Sequence, residues 1–152
     1  MKVRDAMSTN VKLAKPNQTI REAAKVMAEI DAGVLPVTDG DRLLGMITDR
    51  DIAVRAVARG LGPETSIREV MTSEVKYAFD DEDLEDVAHN MADIKVRRLP
   101  VVNRDKRLVG IVSLGDIAMS EGPESAGDAI CGISEPGGQH SQSADGGAGR
   151  AA

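Results

Sequence analysis

The chain has 152 residues, enough for one domain with a buried core, and 41% of them are hydrophobic. Aromatic residues make up only 1%, and the formal net charge is -6. Because single-stranded nucleic acids stack on exposed rings and phosphates are repelled by an acidic chain, this composition argues against nucleic-acid binding.

The N-terminal stretch MKVRDAMSTN lacks the apolar core of a signal peptide, and no apolar run approaches the roughly eighteen residues of a membrane span. Cys131 is the only cysteine, which excludes an intramolecular disulfide and a cysteine zinc cluster. His89 and His140 have no partner at metal-ligand spacing. We therefore expect a cytoplasmic protein with no membrane association and no metal site.

The chain contains an internal repeat. A shift of 64 residues places VRDAMSTNVKLA on IREVMTSEVKYA and one LPV tripeptide on another. After a one-residue insertion the shift becomes 65, and RLLGMITDRDIA lies on RLVGIVSLGDIA. We assign residues 1–62 to the first repeat and residues 63–122 to the second.

Both repeats predict the same elements in the same order. A short helix leads into a short strand, at residues 3–7 and 11–13 in the first repeat and at 67–71 and 75–77 in the second. An amphipathic helix follows, opening at Thr19 or Asp83. Its buried stripe is predicted to contain Ile20, Ala23, Ala24, Met27 and Ile30, or Leu84, Val87, Ala88, Met91 and Ile94.

Two strands and a final helix complete each repeat. The strands are predicted at residues 34–39 and 42–48, and at 99–103 and 107–113, with turns rich in Asp, Gly and Asn. The final helix ends at Gly60 in the first repeat and near Gly122 in the second.

Each repeat is therefore a β-α-β-β-α unit, and the chain falls in the α/β (α+β) class. One such unit leaves an apolar sheet face uncovered, so we expect the two to pack face to face through their sheets with pseudo-twofold symmetry. Residues 123–152 end in a stretch rich in Gly, Ser and Ala and are predicted to form a flexible, disordered tail.

The doubled unit, the LPV tripeptide and the Gly-h-h-Thr/Ser-x-x-Asp pattern, where h is hydrophobic, resemble a tandem pair of CBS (cystathionine-β-synthase) motifs, called a Bateman module. The resemblance covers about residues 1–120 and extends to small stand-alone bacterial CBS-pair proteins. It implies a regulatory homodimer that binds AMP, ADP, ATP or S-adenosylmethionine in two clefts and has no catalytic activity.

In the family, each cleft combines the Thr/Ser-x-x-Asp of one repeat with the first strand and the residues before LPV of the other. By this correspondence the ligand-binding residues of the first cleft are Thr48, Asp51, Lys76, Tyr77, Arg97 and Arg98. A carboxylate can accept hydrogen bonds from ribose hydroxyls, while a hydroxyl, helix N-terminal amides and arginines can bind phosphate.

The second cleft would contain Lys12, Val34, Ser113 and Asp116. Gly33 and Val34 stand where the first cleft has its two arginines. The second cleft is therefore predicted to be empty, weak, or selective for a less charged adenosine compound.

Alternative interpretations exist for the same residues. Thr48-x-x-Asp51 and Ser113-x-x-Asp116 also have the spacing of helix capping boxes, and this role is compatible with ligand binding. The arginine pair can equally be a solvated charge run, and Tyr77 can be a core or edge residue.

The predicted function is a regulatory adenine-nucleotide sensor that acts on an unknown effector protein and requires no cofactor. The alternative is a stress-related interaction or dimerisation module with no small ligand. An enzyme is not expected, because the sequence shows no catalytic triad, phosphate-binding glycine loop or metal cluster.

Overall fold

The computed structural model describes residues 1–135. Its helices are α1 Val3–Ala6, α2 Ile20–Ile30, α3 Asp49–Asp51, α4 Ile67–Val70, α5 Leu84–Ile94, α6 Leu114–Glu121 and α7 Pro123–Ile133. Its strands are β1 Val34–Asp39, β2 Arg42–Thr48, β3 Ala78–Phe79, β4 Arg98–Val102 and β5 Leu108–Ser113. The predicted mixture of helices and strands is confirmed. The predicted tail beyond residue 135 lies outside the described residues.

The hairpins and the helix ends follow the predictions. β1 and β2 are antiparallel, with Val34 opposite Thr48 and Val37 opposite Gly45. After α3 the chain continues through a π-helical turn, Ile52–Ala56, and a 3₁₀ turn, Val57–Arg59. It then stops at Gly60, whose φ of 78° is a left-handed conformation that glycine adopts without a steric penalty.

The strands predicted at residues 11–13 and 75–77 are wrong. In the first repeat residues 11–13 form no strand, and Ala14, directly after them, bridges to Val37 in parallel. In the second repeat β3 begins at Ala78. Leu13 is 44% exposed whereas Ala14 is 2% exposed, so the chain becomes buried at the residue that forms the bridge.

The amphipathic helices bury most of their predicted stripes. Met27 and Met91 are buried, as predicted, while Ala24 and Ile30 remain exposed. Thr19 caps α2 by accepting a hydrogen bond from the Glu22 amide.

The described chain forms two compact units that do not follow the repeat boundary. The first unit consists of Thr9–Tyr77 and Val102–Val109, and the second consists of Met1–Ser8, Ala78–Val101 and the chain from Gly110 onward. Each unit therefore contains segments of both repeats.

In each unit, the short leading helix of one repeat packs against elements of the other. In the first unit, Ile67 at the start of α4 donates its amide to Gln18, and Thr72 after α4 exchanges backbone hydrogen bonds with Met46 of β2. Ile67 is fully buried, which stabilises this arrangement by about 1.5–3 kcal/mol.

The second unit repeats the arrangement with α1. Val3 donates its amide to Glu82, and Ser8 exchanges backbone hydrogen bonds with Ile111 of β5. Val3, like Ile67, is fully buried. The leading helices are thus exchanged between the repeats, which gives the duplication a structural reason.

This exchange explains the glycine of the Gly-h-h-Thr/Ser-x-x-Asp pattern. A Cβ at Gly45 would lie 2.4 Å from the Thr72 carbonyl oxygen, and a Cβ at Gly110 would lie 2.6 Å from the Ser8 carbonyl oxygen. Only glycine leaves room for a neighbouring backbone at these distances.

The prediction of a flexible tail is wrong for residues 123–133, which form α7. Pro123 starts this helix, a position where its missing N–H is not needed. Ala126 and Ala129 are buried, and a Cβ at Gly132 would lie 2.7 Å from the Ala92 Cβ of α5. Small residues, which the composition assigned to a tail, here allow α7 to lie close to α5.

Candidate functional site

The first Thr-x-x-Asp loop connects β2 to α3 in the first unit. Thr48 Oγ1 accepts a hydrogen bond from the Asp51 amide at 3.0 Å, and Asp51 Oδ2 accepts one from the Thr48 amide at 3.0 Å. The predicted capping box is therefore present, with aspartate in the role more often taken by glutamate. Asp51 Oδ1 takes no part in the cap and remains for another partner.

The second loop, in the second unit, has the same geometry. Ser113 Oγ accepts a hydrogen bond from the Asp116 amide at 3.1 Å, and Asp116 Oδ2 accepts one from the Ser113 amide at 2.8 Å. Each loop thus fixes one carboxylate rigidly at the N-terminal end of a helix.

The residues before each LPV tripeptide hold the loop of their own repeat. The Asp49 amide donates to the Gly33 carbonyl oxygen at 2.9 Å, and the Leu114 amide donates to the Arg97 carbonyl oxygen at 2.9 Å. The repeat pattern did not predict these contacts, because they join residues about sixteen positions apart in the sequence.

The side chains at these matching contacts differ. In the first unit, the Asp49 carboxylate lies against Gly33, where a Cβ would be 2.6 Å from Asp49 Oδ2. In the second unit, Leu114 and Arg97 line a cavity of about 210 Å³ together with residues from the end of α7, namely Ile130, Ile133 and Ser134. At this contact the first repeat therefore has a carboxylate beside a glycine, whereas the second repeat has an apolar side chain and a guanidinium group.

The predicted site residues are divided between the two units. Lys12, Val34, Thr48, Asp51, Lys76 and Tyr77 belong to the first unit, and Arg97, Arg98, Ser113 and Asp116 belong to the second. The cations Lys12, Lys76, Arg97 and Arg98 are all exposed. Since each predicted cleft draws on both units, the grouping of these residues into clefts stays a prediction.

Within the first unit, the chain reaches β1 two residues after Lys12. The Ala14 amide donates to the Pro36 carbonyl oxygen, and the Thr38 amide donates to the Ala14 carbonyl oxygen. Tyr77 is 38% exposed and does not belong to the buried core, and it lies next to β3 rather than within a strand.

The sequence interpretation missed Arg55. Its Nη1 lies 3.8 Å from Asp51 Oδ1, and it donates to the Met71 carbonyl oxygen at 3.2 Å. The spacing of four residues between Asp51 and Arg55 is a sequence signal for such a pair on a helix.

The described residues show neither a metal cluster nor a membrane-spanning helix. Between residues 1 and 135 no group of three or more His, Cys, Asp or Glu side chains is arranged to hold a metal ion. His89 and Cys131 are exposed, and His140 lies outside the described residues. In the same part of the chain, no helix combines the length and apolar character required to span a membrane.

The doubled fold and the two capped aspartate loops define a CBS-domain pair. A family model described as the CBS domain matches residues 3–57 and 67–120. The chain belongs to this family, as the resemblance predicted, and CBS-domain pairs are regulatory modules.

Curated relatives of similar length support the assignment. The CBS domain-containing protein YhcV of Bacillus subtilis is 45% identical over 133 residues, which cover 87% of this chain and 94% of that protein. Hypoxic response protein 1 of Mycobacterium tuberculosis is 39% identical over 117 residues, which cover 76% of this chain and 81% of that protein.

Solved structures of similar fold contain adenosine compounds. The CBS domain pair of protein MJ0100, in complex with 5′-methylthioadenosine and S-adenosylmethionine, is 36% identical with a TM-score of 0.69 and covers 78% of this chain and 94% of that one. CBSX2 in complex with AMP is 28% identical with a TM-score of 0.70 and covers 79% of this chain and 95% of that one.

A further solved structure of similar fold contains metal ions. Hypoxic Response Protein I, crystallised with two coordinated zinc ions, is 38% identical with a TM-score of 0.72 and covers 79% of this chain and 98% of that one.

Proposed function

We propose that this protein is a regulatory sensor of an adenine nucleotide, and that the nucleotide binds at the Thr48–Asp51 loop. The observation that carries the proposal is the capped Asp51. Its Oδ2 is fixed by the Thr48 amide, which leaves Oδ1 to accept hydrogen bonds from ribose hydroxyls. The side chain is only 12% exposed, so it is held in place before a ligand arrives.

The family supports the same ligand class. AMP, 5′-methylthioadenosine and S-adenosylmethionine occupy related CBS pairs, and these three compounds share adenine joined to a ribose with its 2′- and 3′-hydroxyls. For the phosphate we propose Arg97 and Arg98, with Lys76 and Tyr77 as further contacts. All four side chains are exposed and therefore accessible to a ligand.

For the second loop we propose weaker or different binding through Lys12, Val34, Ser113 and Asp116. By the family correspondence Gly33 belongs to the second cleft, and the Asp49 carboxylate beside Gly33 would repel a phosphate at that position. An uncharged or cationic adenosine compound would not experience this repulsion.

Nucleotide binding would act on a protein partner, and we propose a cytoplasmic homodimer as the responding form. The change on binding would be transmitted through the loops, because each one joins a strand to a helix. No catalytic step is assigned to the module.

Titration calorimetry with AMP and ATP on the unaltered chain, Asp51→Ala and Asp116→Ala tests the proposal. The two variants are matched, because each removes one carboxylate from an equivalent capping box. We expect Asp51→Ala to weaken AMP binding by about tenfold or more, equivalent to about 1.4 kcal/mol, and Asp116→Ala to change it much less.

Two results would count against the proposal. Equal losses in both variants would contradict the assignment of the nucleotide to the first loop. If no adenine nucleotide at millimolar concentration raises the melting temperature of the unaltered chain, the ligand-independent interaction module is the better description, because a ligand that binds only the native state must stabilise it.

A further inference from the structure

Arg55 lies one turn after Asp51, inside the π-helical turn Ile52–Ala56. Its Nη1 donates to the Met71 carbonyl oxygen at 3.2 Å and to Thr72 Oγ1 at 3.4 Å. These two acceptors lie on the segment that follows α4, within the same unit as Arg55. The guanidinium group is therefore held by the segment of the second repeat that follows α4 and not only by its own helix.

The position of Arg55 gives Asp51 a neighbouring positive charge without occupying its remaining oxygen. The separation between Arg55 Nη1 and Asp51 Oδ1 is 3.8 Å, which is an ion-pair distance but too long for a hydrogen bond. Asp51 is 12% exposed and Arg55 is 39% exposed, so water screens this pair less than it screens a pair on the open surface.

The second repeat lacks this arrangement. Asp116 forms the same cap as Asp51, but the residue four positions later is Ser120, which carries no charge. The helix that contains Asp116, α6, is a regular α-helix over its whole length, without a π-helical turn. The two equivalent carboxylates therefore differ in their immediate charge.

We propose that Arg55 determines which charge of ligand the first loop accepts. By offsetting the negative charge of Asp51, Arg55 allows this carboxylate to bind the ribose of an anionic adenosine phosphate. Asp116 has no such residue and favours an adenosine compound without phosphate. This inference rests on the proposed function, because it takes Asp51 as the ribose ligand.

The experiment compares AMP and adenosine, which differ only in the phosphate, by titration calorimetry. Arg55→Ser places the residue of the second repeat in the first. We expect it to weaken AMP binding by about fivefold and adenosine binding by less than about twofold. Arg55→Lys keeps the charge, so the ratio of AMP to adenosine affinity should stay within about twofold of that of the unaltered chain.

A second variant tests the same role of charge in the second loop, and it is needed if the melting temperature shows that Arg55→Ser does not fold. Ser120→Arg, placed in an Asp51→Ala background, should raise the ratio of AMP to adenosine affinity by about threefold through the second loop. An unchanged ratio in that variant would overturn the role of charge at this position.

The outcomes separate this inference from the proposed function. If the unaltered chain binds neither AMP nor adenosine, the proposed function fails and the role of Arg55 fails with it. If the unaltered chain binds AMP but Arg55→Ser weakens both compounds equally, Arg55 has only a structural role and the proposed function stands.

Discussion

The Thr48–Asp51 and Ser113–Asp116 loops have nearly the same backbone and different surroundings. Both place a carboxylate oxygen 3.0 Å or less from the amide of the residue that ends the preceding strand. Around this common cap, the first loop has Asp49 against Gly33, while the second has Leu114 beside Arg97.

Folding and ligand binding depend on different parts of these two loops. The caps satisfy the helix N-termini in both repeats and therefore serve folding whether or not a ligand binds. The neighbouring side chains take no part in the Thr48–Asp51 and Ser113–Asp116 hydrogen bonds, so they can differ while both capping boxes are kept. Differences in function between the repeats should therefore arise from these neighbours.

The largest expected effect is the loss of stability when the glycines facing the two exchanged segments, residues 1–8 and 67–72, are replaced. Gly45→Ala should lower the free energy of unfolding by about 3 kcal/mol, because its Cβ would overlap the Thr72 carbonyl oxygen in the middle of the chain. Gly110→Ala should cost about half as much, since its Cβ would meet one backbone atom, the Ser8 carbonyl oxygen, and otherwise the flexible Met7 side chain. Chemical denaturation measures both values.

Gly62→Ala is the control for these glycines, because nothing lies within 4 Å of the position that its Cβ would take. Its effect should stay within about 0.5 kcal/mol. Equal losses at Gly45 and Gly110 would show that the two exchanged segments are equally constrained.

A smaller effect is expected at α7, which lies beside α5 and follows only the second repeat. Gly132→Val should lower the free energy of unfolding by about 2 kcal/mol, because the added side chain meets Ala92. Gly127→Val is the matched control on the same helix, because nothing beyond its own stretch of helix lies within 4 Å of the position its Cβ would take, and it should change the free energy of unfolding by less than about 0.5 kcal/mol. If Gly132→Val has no effect in chemical denaturation, α7 does not pack on α5 in solution.

The residues beside the two loops can be exchanged to test whether they cause the difference in binding. The double variant Arg97→Gly with Leu114→Asp gives the second repeat the residues of the first. Because it removes a proposed phosphate ligand, AMP affinity should fall by about tenfold, or about 1.4 kcal/mol. Calorimetry with adenosine serves as the control, since adenosine has no phosphate and should be affected less.

The smallest expected effect concerns a residue pair that is charged in one repeat and uncharged in the other. Lys2 and Asp83 form an ion pair at 3.0 Å, while the corresponding residues of the other repeat are Ser66 and Thr19. The hydrogen bond and the charge of Lys2 hold the pKa of Asp83 below its ordinary value of 3.8.

Because the pKa of Asp83 is lower in the folded state, its contribution to stability is present above the ordinary aspartate pKa. It is lost as the pH falls through the folded-state pKa. Lys2→Ser should therefore slightly reduce the melting temperature near neutral pH and leave it unchanged at pH values below both pKa values. An equal reduction at every pH would indicate a loss of packing instead.

Local sequence patterns predicted much of the fold and part of the site. The capping boxes at Thr48 and Ser113 depend on a spacing of three residues, and both are present. The hairpins and buried methionines follow from periodicity within single elements. The strands at residues 11–13 and 75–77 were predicted too early, because their actual ends depend on which residue meets a distant strand.

The remaining features could not be read from local patterns. The contacts of Arg55 with Thr72, and of Asp49 with Gly33, join residues 17 and 16 positions apart, respectively. Residues 123–133 were predicted as a tail because they contain few large apolar side chains. Their helix is supported by close packing of small residues, and this depends on the surface of α5.

By itself, the sequence determined that this protein is a duplicated chain of the CBS family, with an amphipathic helix, a strand hairpin and a capped aspartate in each repeat. These features depend on residues a few positions apart and on the comparison of the two repeats. Only the tertiary structure decided that the leading helices are exchanged between the repeats and that Gly45 and Gly110 make room for the backbone that follows these helices. It also decided that Arg55 lies beside Asp51 and is held by Thr72, because such contacts exist only after distant segments have packed together.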